Sequence, residues 1–87
     1  MNRDLDPVEI EKHLRAGAVE RSLHHSADWR VSEKVLSELL QCSPLTLKYW
    51  RSVGEGPRYT RIPIHGSRFS YQLADVADWI VSMREER

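Results

Sequence analysis

Residues 44–71 of this 87-residue chain hold five cations, Lys48, Arg51, Arg58, Arg61 and Arg68, against one acid, Glu55. The local excess is four positive charges in a chain whose formal net charge is zero. The flanks carry the compensating acid: residues 1–27 and 28–43 each sum to −1, and residues 72–87 to −2. A cationic segment set between acidic ones is the pattern of a phosphate-binding face. Interleaved with the cations are Leu45, Thr46, Tyr49 and Ser52. With Lys48 they offer an apolar tip, hydroxyls, a phenol and an ammonium. Such groups touch phosphates, base edges and thymine methyls.

Other chemistries find little support. Cys42 is the lone cysteine, so no intrachain disulfide forms, and a turn between helices should bury it away from nucleophilic work. The histidines His13, His24, His25 and His65 lack the spacing of a zinc site. Adjacent His24 and His25 would diverge on a helix and make a poor metal site or pH switch. There is no convincing triad or phosphate loop, and the chain is too short to enclose much of a pocket. No apolar run approaches the roughly 20 residues that span a bilayer, and the N-terminus lacks the apolar stretch of a signal peptide. The expectation is a non-enzymatic, cytoplasmic protein without metal or cofactor.

The elements that must position the cationic segment follow from caps and periodicity. Asp6 before Pro7 starts a helix, with Glu9 as a capping-box partner. Ile10, Leu14 and Ala18 recur at helical spacing, Gly17 weakens or ends that helix, and Val19 and Leu23 carry a further turn or two. Residues 23–28 are polar and look like a linker. Ser32 caps a second helix whose apolar face is Leu36, Leu39 and Leu40. Residues 41–43 make the turn. Ser43 and Pro44 start a third helix with Leu47 and Trp50 on its buried stripe, stopped by Gly54 and Gly56. Residues 59–64 and 68–71 alternate around a turn at 65–67 and read as a β-hairpin. Leu73, Val76, Ala77, Ile80 and Met83 mark a last helix, with Trp79 beside the stripe. Two short helices on a tight turn cannot cover their own apolar stripes. The hairpin and last helix do so, through Ile62, Phe69, Val76 and Ile80.

That order resembles a known family. The run VSEKVLSELL at residues 31–40 is similar to the first helix of excisionase and MerR-like winged-helix proteins. SPLTLKYWR at 43–51 resembles their recognition helix, and GPRY at 56–59, RFSY at 68–71 and DVADWI at 75–80 resemble their wing and closing helix. Gln41 stands where many members have a turn glycine, Cys42 where a valine is usual, and Leu45 where a basic residue is common. The resemblance implies a mostly α chain with a small β-hairpin (α+β). The resemblance covers about residues 31–83, and the expected organisation is a winged helix-turn-helix over residues 28–87 preceded by an N-terminal helical extension over residues 1–27. It also implies double-stranded DNA as partner, contacted by Ser43, Leu45, Thr46, Lys48, Tyr49, Arg51, Arg58, Arg61 and Arg68. Arg61 and Arg68 would reach DNA from the wing, unless they are merely cross-strand neighbours. No long C-terminal coiled coil follows, so effector-sensing MerR regulators match poorly. The small bacterial or phage-encoded recombination directionality factors of mobile genetic elements match better. Such factors promote excision by a site-specific recombinase (integrase). A small transcriptional regulator is the alternative, and a protein-docking module a further one. The N-terminal segment offers Val8, Ile10, Leu14, Val19 and Leu23 for self-association on DNA or contact with the recombinase. The simpler alternative is that this helix packs back on its own domain.

Overall fold

Three side-chain oxygens start three helices where the sequence places them. In this computed structural model, which describes residues 6–62 and 68–85, Asp6 accepts a hydrogen bond from the Val8 amide at 3.0 Å. Ser32 does so from Val35 at 3.1 Å and Ser43 from Thr46 at 3.2 Å. Each bond satisfies an amide that the first helical turn leaves without a partner. The elements are α1 (Pro7–Glu20), β1 (Arg30–Ser32), α2 (Glu33–Leu40), α3 (Pro44–Ser52), β2 (Thr60–Ile62), β3 (Arg68–Gln72) and α4 (Leu73–Glu85). The described residues thus form a small α+β domain of four helices and one three-stranded antiparallel sheet, in the order β1-β3-β2.

Strand β1 is absent from the sequence reading, which left residues 29–31 between linker and helix. Three residues are too few for alternation to register. Tertiary pairing decides: Arg30, Val31 and Ser32 lie opposite Gln72, Tyr71 and Ser70. The hairpin forms, with Thr60, Arg61 and Ile62 opposite Ser70, Phe69 and Arg68. The turn expected at 65–67, and the strand's extension to residue 64, lie outside the described residues.

Gly17 does not end α1, which runs on to Glu20. A Cβ at Gly17 would stand 3.4 Å from Leu39 Cδ2, so this side of α1 faces α2 at ordinary contact distance. Helix α1 therefore packs on the rest of the described residues. α1 lies along α4 and touches α2, Ala18 is fully buried, and Leu14 packs against the core. The Arg21 guanidinium donates to the Glu38 carbonyl at 3.0 Å, serving the C-terminus of α2 as a basic cap. Of the apolar residues expected at a protein–protein contact, Leu14 is taken by the core. Ile10 and Leu23 are half-buried, and Val8 and Val19 stay exposed.

The core comprises Val31, Leu36, Leu47, Tyr71, Leu73 and Val76, with Leu14, Trp29, Leu39, Trp50, Phe69 and Ile80 among the residues packed on it. Ile62, expected in this core, is exposed, because its register with Arg68 puts both on the outer face of the hairpin. Met83 is exposed too. Trp29 has φ 63°, a left-handed conformation that is costly for a bulky residue. Its surroundings hold it there: His25 stacks on the indole at 4.1 Å, Arg15 lies over it at 4.9 Å, and its carbonyl accepts the Leu73 amide that starts α4. Gln41, with φ 58°, makes the turn after α2 without a glycine.

Candidate nucleic-acid interface

α3 is a nine-residue helix held from one side. Leu47 is fully buried and Trp50 packs on the core, its ring tilted against Trp79 at 5.1 Å. Gly56 closes beneath that indole, where a Cβ would meet Trp50 Cβ at 3.0 Å. The other side of α3 is open. Leu45 is 72% exposed and Tyr49 60% exposed, with Lys48 and Ser52 exposed beside them. At about 100° per residue, Lys48, Ser52, Leu45 and Tyr49 follow one another around about 100° of helix surface.

Not every expected contact residue lies on this face. Ser43 and Thr46 are occupied with the helix start: their hydroxyls lie 3.1 Å apart, and the Ser43 hydroxyl also takes the Thr46 amide. Arg51 turns inward. Its Nε and Nη2 donate to the two carboxylate oxygens of Glu33 at 2.9 and 3.1 Å. The Tyr71 hydroxyl donates to the same carboxylate at 2.7 Å, and the guanidinium sits 3.5 Å from the Phe69 ring centroid. The side chains of Arg51 and Glu33 are only 16% and 19% exposed. Arg51 is thus a strut joining α2, α3 and β3, and its guanidinium is engaged within the chain rather than displayed on the open face. The physical cause is the bidentate fit of guanidinium to carboxylate over an aromatic face. Burial pushes the Glu33 carboxyl up. Hydrogen bonds from Arg51 and Tyr71, with the charges of Arg51 and Lys48, outweigh it and hold the group below its usual range. Burial and the neighbouring carboxylate push the Tyr71 phenol well up.

The hairpin arginines part company. Arg61 is opposite Phe69 and so shares the sheet face of Phe69 and Tyr71, toward α3. Arg68 is opposite Ile62 on the other face. There it lines an open cavity of about 270 Å³ with His24, Ser26, Arg30 and Ser70. The two are neither directly opposed nor on one face. Arg58 lies elsewhere again, lining a cavity of about 290 Å³ with Asp75, Asp78 and Trp79 of α4. The open face of α3 therefore presents Leu45, Lys48, Tyr49 and Ser52, with Arg61 placed on the Phe69 face of the sheet. It is far less cationic than residues 44–71 counted along the chain.

Sequence reasoning missed Glu33, the residue that claims Arg51. Eighteen positions separate them, and no local signal marks such a pair. Val53, 46% exposed at the end of α3, was also missed, although it lies four residues after Tyr49 on the same stripe. Burial pushes the Cys42 thiol up, which disfavours the thiolate. Among the described residues no group of three or more His, Cys, Asp or Glu is placed to hold a metal ion. No described helix is long and apolar enough to cross a membrane. No family model, curated protein or solved structure matches the chain.

Proposed function

We propose that this chain is a winged helix-turn-helix protein that binds double-stranded DNA, with α3 in the major groove and the β2–β3 hairpin as the wing. The observation that carries the proposal is the one-sided support of α3. Leu47, Trp50 and Arg51 hold the helix, and its Leu45, Lys48, Tyr49 and Ser52 side is left to solvent. A helix presented this way fits the width of the major groove. Arg61, on the sheet face toward α3, is the wing cation suited to a neighbouring phosphate.

The family resemblance extends the proposal to an accessory role in recombination. Several copies bind repeated sites beside a recombination site, and Val8 and Val19 on the outside of α1 are available for contact between copies. Together the copies bend the DNA, and a site-specific recombinase does the chemistry. The chain is not an enzyme and needs no cofactor. Footprinting on the DNA flanking its own gene is the test. Protection at a recombination site supports this role, and protection confined to a promoter assigns the chain to transcriptional control.

The exposed row of Leu45, Tyr49 and Val53 favours one competing role, docking of α3 on another protein. Salt separates the two. Phosphate binding weakens steeply as salt rises, whereas apolar docking does not.

A further inference from the structure

The chemistry left on the open side of α3 is unusual for a helix facing a polyanion. Arg51 is consumed by Glu33, and the Thr46 hydroxyl lies against the cap. What projects is one ammonium, one hydroxyl, a leucine tip and a phenol ring. Leu45 stands in the first turn, the part of a groove-docked helix that reaches base edges. It is 72% exposed and gains nothing inside its own chain. Lys48 borders the same arc with an exposed ammonium suited to phosphate. The apolar groups that a major groove displays to such a surface are thymine 5-methyls. We infer that Leu45 and Tyr49 read thymine by its methyl group, so that the cognate half-site is defined by thymines under the first two turns of α3. The inference rests on the duplex-binding reading above, and names what that face recognises.

The experiment starts with the full chain and a pool of randomised 30-base-pair duplexes. The enriched duplex is then remade with deoxyuridine replacing one thymine at a time, which deletes the methyl and keeps the Watson–Crick pairing. Burying one methyl corresponds to about fourfold in affinity. At one to three positions the deoxyuridine duplex should therefore bind about fourfold more weakly. Leu45→Ala should lose that discrimination at one of them, binding the thymine and deoxyuridine duplexes there alike. Tyr49→Ala should lose it at another. Lys48→Ala should weaken thymine and deoxyuridine duplexes by the same factor. Leu45 and Tyr49 are both exposed, so these variants leave the core untouched, and a thermal melt checks this. An enriched duplex bound equally with and without its methyls overturns thymine reading and leaves duplex binding standing. Methyl discrimination that survives both alanine variants overturns the assignment to these residues. A pool from which nothing is enriched overturns duplex reading itself, and this inference with it.

Discussion

Replacing Glu33 should cost the domain more than any other single charge change. Glu33→Ala deletes both hydrogen bonds to Arg51 and the one to Tyr71, leaving a guanidinium and a phenol without their partner in a poorly hydrated place. Breaking a fully buried ion pair costs about 3–5 kcal/mol, and an exposed pair contributes about 0–1 kcal/mol. With side chains 16% and 19% exposed, this pair lies nearer the buried limit, at about 2–3 kcal/mol. For a domain of this size that lowers the melting temperature by about 10–20 °C. Arg51→Ala should cost a comparable amount. The double variant should fall short of the sum by about 1 kcal/mol or more, the signature of direct coupling.

The same pair sets an acid limb. The folded Glu33 carboxyl is held below its ordinary value of 4.5. A depressed carboxyl stabilises the fold in full above the ordinary value and loses that contribution as pH falls through the folded one. The stability gap between the parent and Glu33→Gln should therefore be constant above pH 4.5 and close below it. Thermal melts followed by circular dichroism across that range measure both effects. A shift under about 3 °C for Glu33→Ala, or a gap indifferent to acid, refutes the strut.

Gly17→Ala should raise stability by about 0.5–1 kcal/mol, because the new methyl meets only the Leu39 tip at 3.4 Å. Gly17→Leu, which needs room that α2 fills, should lower the melting temperature instead. Gln41→Gly should stabilise by about 0.5 kcal/mol, relieving a left-handed residue at φ 58° at some entropic cost, again read by a melt. Arg61→Ala should weaken binding to cognate and scrambled duplexes alike, as phosphate contacts do, and Arg68→Ala on the opposite sheet face should weaken it less. Equal losses in mobility-shift titrations would mean that the wing enters a groove with both faces in contact.

Legibility followed the range of the interaction. Asp6, Ser32 and Ser43 are caps, their bonds span two or three residues, and the helix starts could be read directly. The Leu47–Trp50 stripe and the existence of the hairpin strands are also local patterns, whereas the register that turns Ile62 outward is not. Gly17 misled because helix propensity argues for a break, whereas the packing of α1 on α4 and α2 that carries the helix on to Glu20 is a tertiary fact. β1 was invisible because its pairing partner is 40 residues away. The cationic segment was legible as composition but not as a surface. One arginine folds inward onto Glu33, one lies beside the aspartates of α4, and the two on the hairpin alternate across the sheet. Charge counted along a chain becomes charge on a face only after the pleat and the ion pairs are known.

The thinness of that face bears on how the protein would act. If Lys48 and Arg61 are the main phosphate contacts of a protomer, the logarithmic salt slope for one site is about −2, a small electrostatic share for a genome-wide search. Useful specificity then needs several protomers on one DNA. Removing residues 1–27 cannot test this cleanly, because Leu14 and Ala18 belong to the packed structure. Val8 and Val19 can. They are 61% and 60% exposed, and at about 100° per residue their separation of eleven positions returns them to one side of α1. Val8→Ser with Val19→Ser should leave the melting temperature and single-site affinity unchanged, and should lower cooperativity on a duplex carrying two adjacent sites. Mobility-shift titrations on one-site and two-site duplexes decide it. Cooperativity as strong as the parent's in the double variant removes α1 from the contact between copies, and the absence of cooperativity in the parent removes the contact itself.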